Sequence, residues 1–321
     1  MSVSETSNEY IDVPEPPPLS LVKKILFVVA GSVLSPLYFL AAYYYPTPGL
    51  SFRWKCARMG LRLLPEIRDK PLFRDAYNLL FFPMDSTRYF EFGLLWQYLA
   101  PLSPISGNYL DISSPRLFPL ALLLNNPKLH GTLINPHLSD LDATRTLARA
   151  LNLSNQCDFL GHPIDAAPLA TASFDLISSI SVVEHIPQDA DALARIWSLL
   201  KPGGKLLLTV PCASVSFEQF IDKNYYGLLK SDSRGYVFWQ RYYDEAALES
   251  RIFNITGLPK RSSIYGEIEK GTFSRNAMHK RASRTYPFWR EPLFMGRGFK
   301  YFDSIQALPG EGAIAMEFIK P

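Results

Sequence analysis

The stretch from residue 109 to residue 211 constrains the fold more than any other part of this chain. Short apolar runs alternate there with longer amphipathic segments, and turn residues separate them. This alternation predicts strand, turn and helix in succession, which is typical of a doubly wound α/β fold with a parallel sheet. The predicted strands are residues 108–112, 131–134, 157–160, 174–180 and 206–210, and the predicted helices are residues 115–124, 138–151 and 189–200.

The flanking sequence extends this pattern in both directions. A helix is predicted over residues 89–99, after the capping side chains of residues 85–87. Beyond residue 211 a further helix is predicted to end near Phe253, and residues 262–268 and 313–319 resemble two final strands. Residues 273–302 between them are rich in basic and aromatic side chains. We therefore assign residues 71–321 to one α/β domain.

The first 70 residues have a different composition. Residues 1–20 are acidic and proline-rich, and we expect them to be disordered. Residues 25–45 contain no charged side chain. As a helix this run would be about 31 Å long, close to the hydrocarbon thickness of a bilayer. The alternatives are a monotopic anchor kinked at Pro36 and a buried helical hairpin broken at Gly31 or Pro36.

Residues 51–64 favour the membrane interpretation. Phe52, Cys56, Met59 and Leu63 share one face of a helical wheel, and three basic residues share another. Basic amphipathic helices bind anionic membrane surfaces. Six Lys or Arg residues lie between residues 53 and 70, which predicts that the large domain faces the cytoplasm at the inner face of the membrane. Residues 21–70 are thus expected to form an anchor, with membrane contact over residues 25–64.

Charge and cysteine content exclude several other classes. The net charge of +3 is small and is spread along the chain, so a nucleic-acid partner is not predicted. The three cysteines are far apart and fit neither a disulfide framework nor a metal site. No metal ligand set is predicted.

Four short motifs together resemble the class I S-adenosylmethionine-dependent methyltransferases, in the small-molecule, type 11-like branch. They are Tyr109-Leu110-Asp111-Ile112, Ser173-Phe174-Asp175-Leu176-Ile177, Val182-Val183-Glu184-His185-Ile186 and Leu200-Lys201-Pro202-Gly203-Gly204. The resemblance implies a seven-stranded Rossmann-like sheet closed by an antiparallel strand pair, with S-adenosylmethionine as cofactor. It also implies a cofactor half at about residues 105–212 and an acceptor or lid half at about residues 213–321.

The same resemblance implies where the cofactor binds. Asp111 matches the family's opening acidic residue, whereas the three glycine positions after it are Ser113, Pro115 and Leu117. Ser113, Ser114 and Arg116 are the candidates for binding the methionyl carboxylate, close to a helix N-terminus that favours an anion. Alternatively, Ser114 only caps that helix, with Pro115 at its first position.

Further along the chain the family's acidic residues are replaced as well. Asn135 stands where the family has the acid that binds the ribose hydroxyls, and Asp140 nearby is expected to be solvated. His162 aligns with the adenine-binding aspartate, and Asp165 is our candidate for that role. Leu160, Pro136 and Ile164 are the expected apolar walls of the adenine cleft.

Ser181 and His185 complete the predicted site. Ser181 ends the fourth strand, where the active cleft of the family opens, and His185 matches the family's Glu-His pair. A histidine there can act as a general base, or it can only support the turn.

These residues indicate a methyltransferase acting on a small-molecule acceptor, or on one linked to a lipid or glycan. The alternative is a non-catalytic, membrane-tethered binding module on the same fold, because three cofactor positions have changed together.

Overall fold

The computed structural model describes residues 7–66, 68–102 and 105–321. The strands are β1 (Ser7–Ile11), β2 (Gly107–Ile112), β3 (Leu129–Ile134), β4 (Cys157–Leu160), β5 (Phe174–Ile180), β6 (Leu200–Ala213), β7 (Phe217–Ile221), β8 (Val237–Tyr242), β9 (Arg261–Glu267), β10 (Phe299–Phe302) and β11 (Glu311–Ile319). The helices are α1 (Leu21–Ala42), α2 (Leu50–Arg62), α3 (Lys70–Phe81), α4 (Arg88–Leu99), α5 (Leu117–Asn125), α6 (Leu138–Ala150), α7 (Asp189–Leu199), α8 (Glu245–Leu248), α9 (Asn254–Thr256), α10 (Thr272–Ala282) and α11 (Glu291–Gly298).

The main sheet has eight strands in the order β10-β9-β11-β6-β5-β2-β3-β4. Strands β4, β3, β2, β5 and β6 are parallel, and β11 pairs antiparallel with both β6 and β9. This arrangement confirms the predicted doubly wound α/β sheet and its closing antiparallel pair. One strand of this sheet was not predicted: β10, which pairs with β9 at the edge of the sheet.

Two apolar clusters cover the two faces of this sheet. Tyr109 of β2 belongs to the cluster beneath α2, α4 and α5, whereas Leu110 belongs to the cluster beneath α7. Successive strand residues point to opposite faces, so Tyr109 and Leu110 are buried on the two faces of β2. A central strand of a parallel sheet is covered on both faces in this way. Its carboxyl end is then held rigidly at one edge of the sheet.

The N-terminal 70 residues differ from their prediction. Residues 1–6 lie outside the described part of the chain, but residues 7–11, expected to be disordered, form β1 and pair in parallel with β7. Strands β1, β7 and β8 make a second sheet of three strands.

The amphipathic helix α2 belongs to the core of the domain. Its apolar face, expected to contact a membrane, is buried in the protein, with Phe52 and Cys56 fully inaccessible. The Phe52 ring packs against Phe92, Trp96 and Phe118, at 5.3–6.0 Å between ring centroids. Residues before and after the predicted domain boundary at residue 70 therefore share one hydrophobic core.

Candidate active site

A cleft of about 1200 Å³ opens at the carboxyl ends of β2, β3 and β5. The strand order reverses between β2 and β5, and ligands of open α/β sheets bind at such a reversal. All predicted site residues except Asp111 line this cleft. They are Ser113, Ser114, Arg116, Asn135, Asp165, Ser181 and His185.

Asp111 lies beneath the cleft and not in its wall. Its Oδ1 accepts hydrogen bonds from Ser178 Oγ at 2.6 Å and Tyr109 Oη at 3.2 Å, and its Oδ2 accepts from Ser114 N at 3.1 Å. Burial raises the pKa of this carboxyl to about 6. The carboxylate is therefore bound to the sheet and to the loop that follows it, and a direct contact of Asp111 with the cofactor stays a prediction.

Ser113 keeps the backbone path of a glycine. Its φ is 50°, in the left-handed region that a Cβ atom makes costly by about 1–2 kcal/mol and that glycine adopts freely. It occupies the first of the three positions where the resembled family has glycine. The Ser113 hydroxyl donates to the carbonyl oxygen of Ile134 at 3.1 Å, so the side chain ties this loop to the end of β3.

Ser114 ties the same loop to β5. Its Oγ accepts a hydrogen bond from Ile180 N at 3.0 Å. Helix α5 begins at Leu117, and no side chain caps it. The alternative in which Ser114 caps a helix starting at Pro115 therefore does not hold.

Arg116 carries the positive charge of this end of the cleft. Its Nη2 lies 2.8 Å from Asp75 Oδ1 of α3, and the Arg116 side chain remains about a third exposed. Its guanidinium thus faces the cleft with one counter-ion and with donors to spare, since a guanidinium has five N–H groups.

The end of β3 shows two residues that the sequence analysis did not assign to the site. Asn135 Oδ1 accepts from His137 N at 2.9 Å, which uses one lone pair of the amide oxygen. His137 Nδ1 lies 3.0 Å from Asp140 Oδ2, and both His137 and Asp140 line the cleft. A carboxylate is thus present one turn into α6; as expected it is solvated, with the Asp140 side chain about half exposed, yet it also lies in the cleft wall.

The loop after β4 contributes a smaller part of the wall. Asp165, Ile164 and Pro136 line the cleft, whereas His162 and Leu160 do not. Asp165 Oδ1 accepts from the backbone N–H of Ala166 at 3.0 Å. Of the two candidates for the adenine-binding position, only Asp165 is in the cleft wall.

Ser181, at the end of β5, joins a buried charged cluster. Its φ is 49°, and its hydroxyl donates to Glu91 Oε1 at 2.5 Å. The Glu91 carboxylate is fully buried, also accepts from Thr209 Oγ1 at 2.9 Å and pairs with Arg88. Arg88 in turn lines the cleft, so α4 places a paired cation at this end of the site.

His185 is held neutral beneath the lid. Its Nδ1 contacts the carbonyl oxygen of Trp239, an oxygen that can only accept, so Nδ1 carries the proton. Burial lowers the pKa of His185 to about 4. The adjacent Glu184 is fully buried, and burial raises its pKa to about 8. Glu184 Oε1 lies 3.9 Å from His185 Nε2.

Aromatic side chains between β7 and β8 cover the cleft. The rings of Tyr226 and Trp239 stack with centroids 5.9 Å apart, and Tyr225 meets Trp239 edge-on at 5.7 Å. Tyr226 also reaches His137, and Trp239 reaches His185. We call residues 222–236 together with Trp239 the lid, because they bridge the two ends of the cleft.

The comparisons with known proteins agree with this fold. Residues 119–208 match a family model described as a methyltransferase domain of the type 11 family. No curated protein sequence matches the chain. The matched residues run from α5 to β6 and so include the ends of β3 and β5. The match confirms the resemblance to methyltransferase domains seen in the sequence, and the parallel sheet with its closing antiparallel pair confirms the fold expected from it.

Solved structures with a similar fold are distant in sequence. The [4+2]-cyclase SpnF is 14% identical over 71% of this chain and 80% of its own, with a TM-score of 0.44. Geranyl diphosphate C-methyltransferase from Streptomyces coelicolor A3(2), bound to Mg²⁺, geranyl-S-thiolodiphosphate and S-adenosyl-L-homocysteine, is 10% identical over 79% and 82%, with a TM-score of 0.46. A geranyl diphosphate methyltransferase in complex with SAM is 10% identical over 79% and 92%, with a TM-score of 0.47.

Proposed function

We propose that this protein is an S-adenosylmethionine-dependent methyltransferase that acts on a small-molecule acceptor. One observation carries the proposal: the cleft at the strand-order reversal is lined by the predicted cofactor residues at one end and closed by the aromatic lid at the other. The residues that match the methyltransferase domain include Asn135, Asp165, Ser181 and His185 of the cleft wall.

The side chains at the first end fit the chemical groups of the cofactor. Arg116 and the N-terminal turn of α5 favour a carboxylate. Asp140 and Asp165 supply carboxylate acceptors, which suit ribose hydroxyls and an exocyclic amine. Ile112, Ile134 and Ile164 supply apolar surface for a purine ring. Although the family's usual cofactor residues are replaced, the cleft thus still has charged, polar and apolar side chains that suit each part of S-adenosylmethionine.

Bound S-adenosylmethionine would supply a methyl group on a sulfonium, which transfers by in-line displacement. The protein's contribution is then mainly to position the acceptor and to exclude water. The stacked rings of Tyr226 and Trp239 exclude water from the middle of the cleft. His185 Nε2 can accept a hydrogen bond from an acceptor hydroxyl or amine, but a pKa of about 4 makes it a weak base. His185 therefore orients the acceptor more than it removes its proton.

The acceptor we propose is anionic and lipid-linked, presented at the cytoplasmic face of a membrane. The rim of the cleft includes Lys223, and the Arg281 guanidinium lies 5.9 Å from the centroid of the Trp239 ring. Leu228 and Tyr225 on the lid are about half exposed. Within the described part of the chain one helix, Leu21–Ala42, is long and apolar enough to cross a bilayer.

The first test is thermal unfolding of the full chain in mild detergent, with and without S-adenosylhomocysteine. Ligand at a hundred times its dissociation constant adds about 2.7 kcal/mol to stability, a rise of roughly 5 °C for a chain of this size. Arg116→Ala should abolish the rise, whereas Arg149→Ala, a matched change on the far side of α6, should leave it intact. Cooperative unfolding with no shift at millimolar ligand would instead support the non-catalytic module.

The acceptor class is tested with methyl-labelled S-adenosylmethionine and a cell extract. We expect label to enter the organic phase of a lipid extraction in a reaction that depends on the protein. Label recovered on protein or RNA would overturn the acceptor class and leave methyl transfer itself in place.

A further inference from the structure

Helix α1 has one face on the protein and one face that no other described residue covers. Its inner face, with Gly31, Ser35, Phe39 and Ala42, is buried. On the opposite side, side chains spaced three or four residues apart are more than half exposed, and all are apolar except for the closing tyrosine. We call this set the outer stripe: Val22, Leu26, Val29, Val33, Leu37, Leu40 and Tyr44.

The inner face is attached along most of the helix. The Phe27 ring lies 4.8 Å from Trp289, Tyr77 Oη donates to the carbonyl oxygen of Val28 at 2.6 Å, and the Arg53 guanidinium lies 4.2 Å from the Phe39 ring centroid. From Phe27 to Phe39 this contact covers about 18 Å of the helix axis. The helix is therefore one wall of the domain and not a separate rod.

This attachment is incompatible with a spanning orientation. If α1 crossed a bilayer, the side chains packed on it would lie at hydrocarbon depth. They include Arg53, whose Nη2 donates to Ser35 Oγ at 3.1 Å, and a buried arginine at the centre of a bilayer is costly. Among the described residues of α1, the exposed apolar side chains of the outer stripe are free to meet lipid.

We propose that the outer stripe lies flat in one leaflet of an anionic membrane, at the boundary between headgroups and acyl chains. This inference rests on the proposed membrane association and fixes the face that makes it. Lys23 and Lys24 are exposed in the first turn of α1, with Lys23 beside the stripe. Beyond its other end the exposed Trp54 of α2 donates to Tyr43 Oη at 3.2 Å, with the exposed Arg58 one turn further on. Apolar side chains rimmed by aromatic and basic ones are typical of helices at anionic surfaces.

The same orientation brings the cleft to the membrane. Phe82 lines the cleft, and its Cε1 lies 3.2 Å from the position of a Cβ on Gly31 of the inner face, so one ring and the width of α1 separate the cleft from the outer stripe. Lys223 of the lid pairs with Glu15 at 3.5 Å, six residues before the start of α1. A membrane bound by the outer stripe would therefore lie about one helix diameter, roughly 10 Å, from the cleft.

The binding test uses flotation of the full chain with vesicles of phosphatidylcholine, with or without phosphatidylglycerol. We expect flotation that is strongest with phosphatidylglycerol. The double variant Val29→Asp/Val33→Asp should weaken vesicle binding about a hundredfold. The matched control is Leu258→Asp, a similarly exposed apolar residue away from the stripe, and it should float as the wild type does. Absence of flotation together with a dimer that the double variant dissociates would overturn the proposal, since a second copy would then cover the stripe.

A depth measurement separates lying from spanning. A fluorophore is attached to Val22→Cys, Val33→Cys or Leu40→Cys and quenched by lipids with nitroxides at shallow or deep acyl positions. The three native cysteines are buried and should not react. All three labels should be quenched best by the shallow nitroxide. Deep quenching at Val33 with shallow quenching at both ends would show a spanning helix and overturn the proposal.

The failure of this inference can be told apart from failure of the proposed function. The double variant leaves every residue of the cleft unchanged, so its thermal shift with S-adenosylhomocysteine should equal that of the wild type. If the wild type floats but shows no thermal shift, the proposed membrane face is supported and the proposed methyltransferase function is contradicted.

Discussion

Arg116 Nη2 lies 2.8 Å from Asp75 Oδ1, an ion pair that joins the loop after β2 to helix α3. Helix α3 therefore supports the cleft, and α2, which the sequence assigned to a membrane anchor, packs against α3. The cluster around Phe52 explains why, because α2 fills the space between α4 and α5 with its apolar face.

The contribution of α2 to the domain can be measured by truncating one buried ring. Phe52→Ala should lower the free energy of unfolding by about 3–5 kcal/mol, since Phe52 is fully buried among three other aromatic rings. Trp54→Ala, two residues away and about half exposed, should cost less than about 1 kcal/mol. Chemical denaturation in mild detergent gives both values. Equal small losses would mean that α2 is a separable anchor after all.

Glycine and alanine substitutions should have opposite orders of stability at Ser113 and Ser114, the two adjacent serines in the loop after β2. At Ser113 the left-handed backbone should make glycine more stable than alanine by about 1 kcal/mol. At Ser114, which does not have a positive φ, alanine should be more stable than glycine by about 0.5–1 kcal/mol. The four variants are compared by chemical denaturation at one pH. The same order at both positions would contradict the backbone argument, and the Ser113→Gly variant should still bind S-adenosylhomocysteine.

Alternation of apolar runs with helices was enough to predict the sheet, its parallel centre and its closing pair, because buried central strands leave little choice of residue. It could not predict which partner covers an amphipathic helix. The sequence suggested that both α1 and α2 meet a membrane, yet the apolar face of α2 packs on the core, whereas no described residue covers the outer stripe of α1. Tertiary packing decided between them.

The sequence predicted the site residues that directly follow a strand. It did not predict the site residues that the first turn of a helix contributes. Ser113, Asn135 and Ser181 follow strands directly and line the cleft. Asp111 also belongs to a strand, but its carboxylate points into the protein, where it accepts three hydrogen bonds. His137 and Asp140 were missed because their place in the cleft depends on how α6 leaves β3, for which the sequence carried no motif.

Asp140 is expected to take over part of the role of the acid that Asn135 replaces. Asp140→Asn should lower the affinity for S-adenosylhomocysteine about tenfold, because a hydrogen bond to a carboxylate is worth about 1.5–3 kcal/mol. Asp142→Asn, on the same helix but outside the cleft and paired with Arg145, is the matched control and should bind as the wild type does. Titration calorimetry measures both, and equal affinities would assign the hydroxyl contacts elsewhere.

Glu184 makes the stability of the protein depend on pH in a specific direction. Burial raises the pKa of its carboxyl from 4.5 to about 8 in the native state, and its Oε2 has no hydrogen-bond partner among the described residues. Between these two values the native state binds the proton more tightly than the unfolded state does, so this group lowers stability as pH rises from about 4.5 to about 8. Glu184→Gln does not titrate. It should match the wild type near pH 4 and be more stable at pH 9, by about 5 kcal/mol.

Chemical denaturation of both proteins across this pH range measures the difference directly. Glu249→Gln, at an exposed position, controls for the loss of a negative charge and should follow the wild-type curve at every pH. If Glu184→Gln also ran parallel to the wild type, the Glu184 carboxylate would have to be ionised and paired at neutral pH. The turn that carries His185 would then hold a negative charge next to the acceptor, and His185 could act as a stronger base than its burial allows.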